Sequence, residues 1–253
     1  MAYGKNSPFG LRPLCSITGG AWAGKMNEYN IAVKNDGSAT YAGKLFTGDP
    51  VIWNGTKALG GADVGYGTIA RYAPHHADQD NPGNKTPVLG VFNGCEYTLA
   101  TGELIKSAYW PGGVAVMPGS LIKAYVIDDP NIIWDIQVSA VDNTLDDAKF
   151  TRDKVGGNFG FGIAGGGANL GSANNPTDGT TRTGQSAFYL STHFTNNGDA
   201  TESYLPLKVI GYTEKPDNEP ATYTVGTTAP FLNVKVIINN HVFKAGVEGR
   251  AIN

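Results

Sequence analysis

The sequence predicts a mainly β protein: a β-sandwich or barrel, jelly-roll-like in its body, with long loops, an extended N-terminal arm and at most one short helix. Three observations predict it. Apolar and polar residues alternate over stretches of strand length, most clearly Ile132, Trp134, Ile136 and Val138 against Asn131, Asp135 and Gln137. That is the period of a strand with one buried face. Glycine (35) and proline (14) break the chain into short segments, as in proteins built from many strands and turns. Charged residues are 16% of the chain, against about 25% in ordinary soluble domains, so neutral polar groups cover much of the surface.

With 253 residues the chain is long enough to bury a substantial core, as one large β-domain or two smaller ones. The natural partition is an arm over residues 1–20, a barrel-like region over 21–105 and a sandwich region over 106–253, the last two separate or continuous. A net charge of -3 and a pI near 5.8 argue against a nucleic-acid partner, which selects basic proteins. Cys15 and Cys95 are too few for a disulfide framework and read as free, mostly buried thiols. Met1 to Leu14 holds no apolar segment of the kind a secretory leader needs. No run approaches the roughly 20 apolar residues of a membrane helix. A soluble protein of a reducing cytoplasm is expected.

Taken in order, Pro8 and Pro13 exclude a helix from the N-terminal segment and favour an extended path. Phe9, Leu11 and Arg12 lie between those prolines. The segment is either a loosely attached terminus or an arm that docks on a partner through these three residues. Glu28 to Val33 reads as a strand entering a hairpin at Asn35-Asp36-Gly37. Lys44 to Trp53 reads as a strand pair split by Gly48-Asp49-Pro50, and Tyr66 to Tyr72 as another strand. Pro74 to Pro87 is a polar loop. Val88 to Tyr97 is a strand interrupted by Gly90 and Gly94, as at bulges or barrel corners.

Leu121 to Ile127 and Ile132 to Val138 form the central pair, apolar on both parities before the turn and alternating after it. Asp128-Asp129-Pro130-Asn131 joins them as a hairpin or as a sharp corner. Asn143 to Lys154 is the one helix candidate, with Thr144 to cap it, Asp146 and Asp147 in its first turn, and Arg152 and Lys154 in its last. Residues 155–185 read as a long loop or short extended pieces. Strands follow around Phe188–Phe194 and Leu205–Ile210, then a polar loop from Tyr212 to Pro230 and a long strand over Leu232–Ile238.

Candidate chemistry is thin. Gly160-Phe161-Gly162-Ile163-Ala164-Gly165 matches G-x-G-x-x-G, but Gly166, Gly167 and Asn169 follow where a phosphate-binding helix would have to start. His75-His76 with Asp78 and Asp80 lacks a second ligand cluster nearby and reads as a solvated loop. Asp128-Asp129 and Asp146-Asp147 are explained by a turn and a helix start, and neither has calcium-loop spacing. No nucleophile motif is present. The four tryptophans and twelve tyrosines could stack sugars, but fit β-cores and subunit contacts better. No catalytic residue, cofactor, metal or small-molecule substrate is expected.

Several motifs, in order along the chain, resemble a family of tailed-bacteriophage virion proteins. They are Ser7-Pro8-Phe9-Gly10-Leu11-Arg12-Pro13, Leu45-Phe46-Thr47-Gly48-Asp49-Pro50-Val51, Val88-Leu89-Gly90-Val91, Tyr109-Trp110-Pro111, Ala124-Tyr125-Val126-Ile127-Asp128-Asp129-Pro130, and Val236-Ile237-Ile238-Asn239-Asn240-His241. The likeness is to head decoration, or cement, proteins. It implies a non-enzymatic protein on the exterior of the phage head, assembled in the host cytoplasm, with the major capsid protein and itself (as a homotrimer) for partners. It implies no nucleic-acid or membrane partner. Two other classes remain: a carbohydrate- or receptor-binding virion surface protein, and a hydrolase with carboxylates brought together from distant loops.

Overall fold

A computed structural model describes residues 7–54, 67–72, 86–139, 150, 154–163, 179–191, 205–214, 218 and 232–244. The chain is mainly β. Its strands are β1 (Arg12–Ser16), β2 (Asn27–Ile31), β3 (Leu45–Phe46), β4 (Pro50–Trp53), β5 (Thr68–Arg71), β6 (Gly90–Thr98), β7 (Leu104–Ser107), β8 (Tyr109–Trp110) and β9 (Ile122–Ile127). After a corner come β10 (Ile132–Ser139), β11 (Asn158–Ile163), β12 (Gly179–Thr180), β13 (Gln185–Ser186), β14 (Phe188–Ser191), β15 (Leu207–Tyr212) and β16 (Asn233–Ile238). Among the described residues, no helix is long and apolar enough to cross a membrane.

The strands close into two rings. In the first, β2 pairs in parallel with β5, and antiparallel pairings run from β5 to β4, β6, β9 and back to β2. In the second, β10 pairs in parallel with β14, and antiparallel pairings run from β14 to β11, β15, β16 and back to β10. Numbered by chain order within each ring, the two sets of pairings are the same: first with third in parallel, then third with second, second with fourth, fourth with fifth, and fifth with first. The described residues thus form two five-stranded barrels of one topology, in tandem. Closure removes the open edges that a flat sheet would leave.

Alternation fills each barrel. Ile31, Val51, Ile69, Phe92, Ile122, Ala124 and Val126 pack inside the first. Trp134, Ile136, Val138, Phe161, Leu190, Val209, Val234 and Val236 pack inside the second. Burying rows of such side chains is the main favourable term in folding. The interruption expected at Gly94 is a bulge: the β6–β9 register shifts between Phe92 and Cys95, and Gly94 takes φ 131. The hairpin expected at Asn35-Asp36-Gly37 is there, with Val33 bridged to Thr40. Both cysteines are free, Cys95 buried and Cys15 half-buried.

The central pair resolves as a corner. β9 and β10 do not pair; each belongs to its own barrel. The Asp129 side chain accepts the Asn131 N–H at 2.9 Å, a local bond that turns the chain where Pro130 cannot extend a ladder. β10 pairs with β16 (Trp134 opposite Val236), while most of β9 packs in the other core. The sheets divide at this corner and not at residue 105, since β7, β8 and β9 go with the first barrel. β3 pairs with β8 and not with β4.

Of the short extended pieces expected over 155–185, one is a full barrel strand, β11, in which Gly162 lies under the Tyr189 ring, where a Cβ would collide with it. On β10, Asp135 and Gln137 occupy the polar parity yet are buried. Ser7 N–H donates to the Gln137 side chain at 2.9 Å, and the Thr213 hydroxyl donates to Asp135 at 2.6 Å. The chain's own N-terminal segment and the loop after β15 cover that face. Of the expected helix over 143–154, only Phe150 and Lys154 lie among the described residues.

Candidate functional site

Some of the residues singled out in the sequence gather where the two barrels meet. The N-terminal segment threads this junction. Gly10 N–H donates to Phe188 O of the second barrel at 3.0 Å, and Leu11 N–H to Gly48 O of the first at 2.9 Å. Gly10 has φ 73, and a Cβ there would strike the Gly48 carbonyl. A glycine is needed for the backbones to approach so closely.

Phe9 and Leu11 are 7% and 2% exposed, and Leu11 lies in the second barrel's core. Arg12 is exposed, its guanidinium 4.0 Å above the Phe9 ring, a cation–π stack. β1 then continues along β10, with Arg12 opposite Asp135 and Ser16 opposite Ile132. The apolar groups expected to be offered to a neighbour are thus taken up within their own chain. From Ser7 onward the segment is part of the body. Of the three candidate residues, Arg12 alone faces outward.

The Gly48 turn is the second contributor. Asp49 accepts the Phe46 N–H at 2.9 Å through its carboxylate, and Gly48 N–H donates to Phe92 O at 2.9 Å. Thr47 exchanges backbone bonds with the β12–β13 hairpin, donating to Gly184 O at 2.8 Å and accepting from Ser186 N–H at 3.0 Å. Phe46 stacks on Tyr109, with centroids 5.7 Å apart. The third is the corner, where both Asp128 oxygens accept from Asn27 Nδ2 (2.9 and 2.8 Å) and one also accepts from the Tyr29 hydroxyl at 2.5 Å. Burial and this carboxylate push the Tyr29 hydroxyl pKa up.

The fourth contributor is the return from β16. Val88 N–H donates to Asn240 O at 2.8 Å and Val242 N–H to Val88 O at 3.0 Å, tying the end of the second barrel to the first. His241, between them, is fully buried. Its Nδ1 accepts the Phe243 N–H at 3.1 Å, and its Nε2 has no hydrogen-bond partner among the described residues. Burial, with Lys244 nearby, lowers its pKa to about 4, against a smaller opposing pull from Asp128 and Asp129.

The contacts of these groups are structural ones. Cys95 is pushed up to about 12 by burial, which suppresses the thiolate a nucleophile needs. Glu96 is held below the usual carboxylate range, first by its hydrogen bond from Lys106, which lies 3.0 Å away. Among the described residues, no group of three His, Cys, Asp or Glu could hold a metal ion. Gly160 and Gly162 sit mid-strand, paired with Ser191 and Tyr189, and not at a strand-to-helix turn. The rings proposed as sugar platforms are largely internal: Trp110 and Trp134 are buried, Trp53 meets Tyr29 edge-on at 5.4 Å, and Trp22 packs against the second core. His75, His76, Asp78, Asp80, Asp146 and Asp147 lie outside the described residues.

Sequence reading missed His241 as a distinct group, because a lone histidine after a strand carries no local signal. It missed the partners of Asp128 for a different reason: Asn27 and Tyr29 are about a hundred positions away in sequence. No family model, no curated protein and no solved structure matches this chain.

Proposed function

We propose that this chain is a structural protein of a tailed-phage head that binds the shell of major capsid protein and stabilises it, without catalysis. The observation that carries the reading is spatial. The motifs of the virion-protein likeness, dispersed from residue 7 to 241, touch one another in the fold, some within the first barrel and some across the junction of the barrels. Leu11 bonds to Gly48, Leu45 and Phe46 pair with Trp110 and Tyr109, Val51 pairs with Gly90, Val91 pairs with Ile127, and Val88 bridges to His241. Short motifs that form one contiguous contact set are a stronger likeness than the same motifs scattered over a surface.

Two further features support the reading. Both barrels are filled by their own side chains, which suits a rigid body that binds through its outside. The low proportion of charged residues suits a protein that presses much of its surface against neighbours, since charge is depleted at interface cores. The buried tryptophans weigh against the sugar-binding alternative. The working form is a homotrimer on the shell, where three tethered copies gain avidity without stronger single contacts.

Co-sedimentation with purified phage heads, before and after expansion, tests the proposal. Saturable binding to expanded heads, with improved resistance of the heads to heat or chelator, is the expected result. No binding above that of an unrelated β protein at micromolar concentration would overturn it. Sedimentation velocity on the free and head-released protein tests the trimer; a monomer in both would remove that part.

A further inference from the structure

The junction contains a group whose chemistry the structural role leaves unused. His241 sits between the two backbone bonds that tie Val88 to the β16 return. Its Nδ1 accepts the Phe243 N–H at 3.1 Å, so the neutral ring carries its proton on Nε2, which is buried without a partner among the described residues. A second proton can go only to Nδ1. There it would point at the Phe243 N–H, setting two donors head to head. The bond that closes the turn would be lost, and a charge would be left in a site shielded from water.

The described groups around the ring relieve that charge only in part: Asp128 and Asp129 favour it, but burial and Lys244 outweigh them. Both Asp128 oxygens are engaged by Asn27 and Tyr29, and one Asp129 oxygen is held by the Asn131 N–H. Lys244, on the same turn, adds a like charge; its Nζ donates to Ile238 O, and burial lowers its pKa.

We propose that His241 is an acid-sensitive pin of the barrel junction: neutral, it closes the 239–243 turn onto Val88, and protonated it releases that turn. The depressed pKa, near 4, agrees with a folded site that resists the proton. Acidification therefore loosens the junction locally, while each barrel keeps its own ring of strand pairs.

The test is amide hydrogen exchange on the intact chain between pH 7 and 4, corrected for intrinsic rates, with His241→Asn as the control. An Asn side-chain oxygen can accept the N–H two residues on, as Nδ1 does here, and takes up no proton. In the native protein, protection of the Val242 and Phe243 amides is expected to fall at least tenfold with acid while Val236 and Val126 stay protected. In His241→Asn it should stay flat over that range. The same acid profile in both proteins overturns the proposal. Should the variant not fold, the ring titration of His241, followed by NMR in the native protein, decides: loss of Val242 protection must track it, and titration with that amide unchanged overturns the pin.

Discussion

Replacing Gly10 with alanine should cost far more than its size suggests, and the structure divides the cost into parts. The φ of 73 strains any residue with a Cβ by about 1 kcal/mol. The new methyl would also meet the Gly48 carbonyl and the Ser186 side chain. The backbone on one side cannot rotate away, so the N-terminal segment must lift. That weakens the Gly10–Phe188 and Leu11–Gly48 hydrogen bonds, each contributing about 1 kcal/mol, and partly exposes Phe9 and Leu11, which adds about 1–2 kcal/mol. The sum is about 4–5 kcal/mol if both bonds are lost. Gly24 is the internal control: its φ is 77, with nothing within 4 Å of where a Cβ would stand, so Gly24→Ala should lose only the strain of about 1 kcal/mol. Urea unfolding followed by far-UV circular dichroism and by tryptophan fluorescence gives both values. Equal losses at the two positions would refute the close approach at the junction, and with it the placement of the N-terminal segment inside its own chain.

Three further outcomes follow from the same geometry. Trp134→Ala, which empties a core position opposite Val236, should lose about 3–5 kcal/mol; a variant within about 1 kcal/mol of the parent in urea melts would place that ring elsewhere. Cys95, buried with its pKa pushed up to about 12, should stay unmodified by iodoacetamide at pH 8 while Cys15 at the half-buried edge is labelled first; mass spectrometry showing the reverse order would contradict the burial. His241 goes from 6.5 unfolded to about 4 folded, so the unfolded chain binds the proton more readily. Its stabilising contribution is fully present above pH 6.5 and is lost as the pH falls toward 4, up to about 3 kcal/mol; a urea midpoint unchanged between pH 7 and 4 would count against it.

The elements were legible where one physical rule decided them. Alternation placed Ile132–Val138 and Leu232–Ile238 as strands with one buried face, because a residue facing a barrel interior has one option. Gly94 announced its bulge, and Asn35-Asp36-Gly37 its hairpin, because few residues tolerate those backbones. What failed was inference about the outside of a strand. Asp135 and Gln137 look solvent-facing, yet Thr213 and the Ser7 backbone satisfy them in a buried setting. Phe9 and Leu11 looked like anchors for another molecule for a related reason. An apolar pair between prolines shows that something must cover it, and sequence alone does not say whether the cover belongs to the same chain.

The repeated topology was illegible for a deeper reason. β2 (NEYNI) and β10 (IIWDIQVS) hold the same place in their rings, as do β5 (TIAR) and β14 (FYLS), with little residue identity between them. A ring of strands is specified by period, length and turn position, and many sequences meet those terms. What the two barrels do not share is how they are joined. β1 lies along the second barrel although it begins the chain, the Gly48 turn of the first barrel reaches the β12–β13 hairpin, and the return from β16 is tied to Val88. Each of these ties spans roughly half of the sequence, so each closes a long loop and is expected to form late. The junction is therefore expected to be the last part of the molecule to form and the first to open, and its ties run through the motifs that carry the virion-protein likeness.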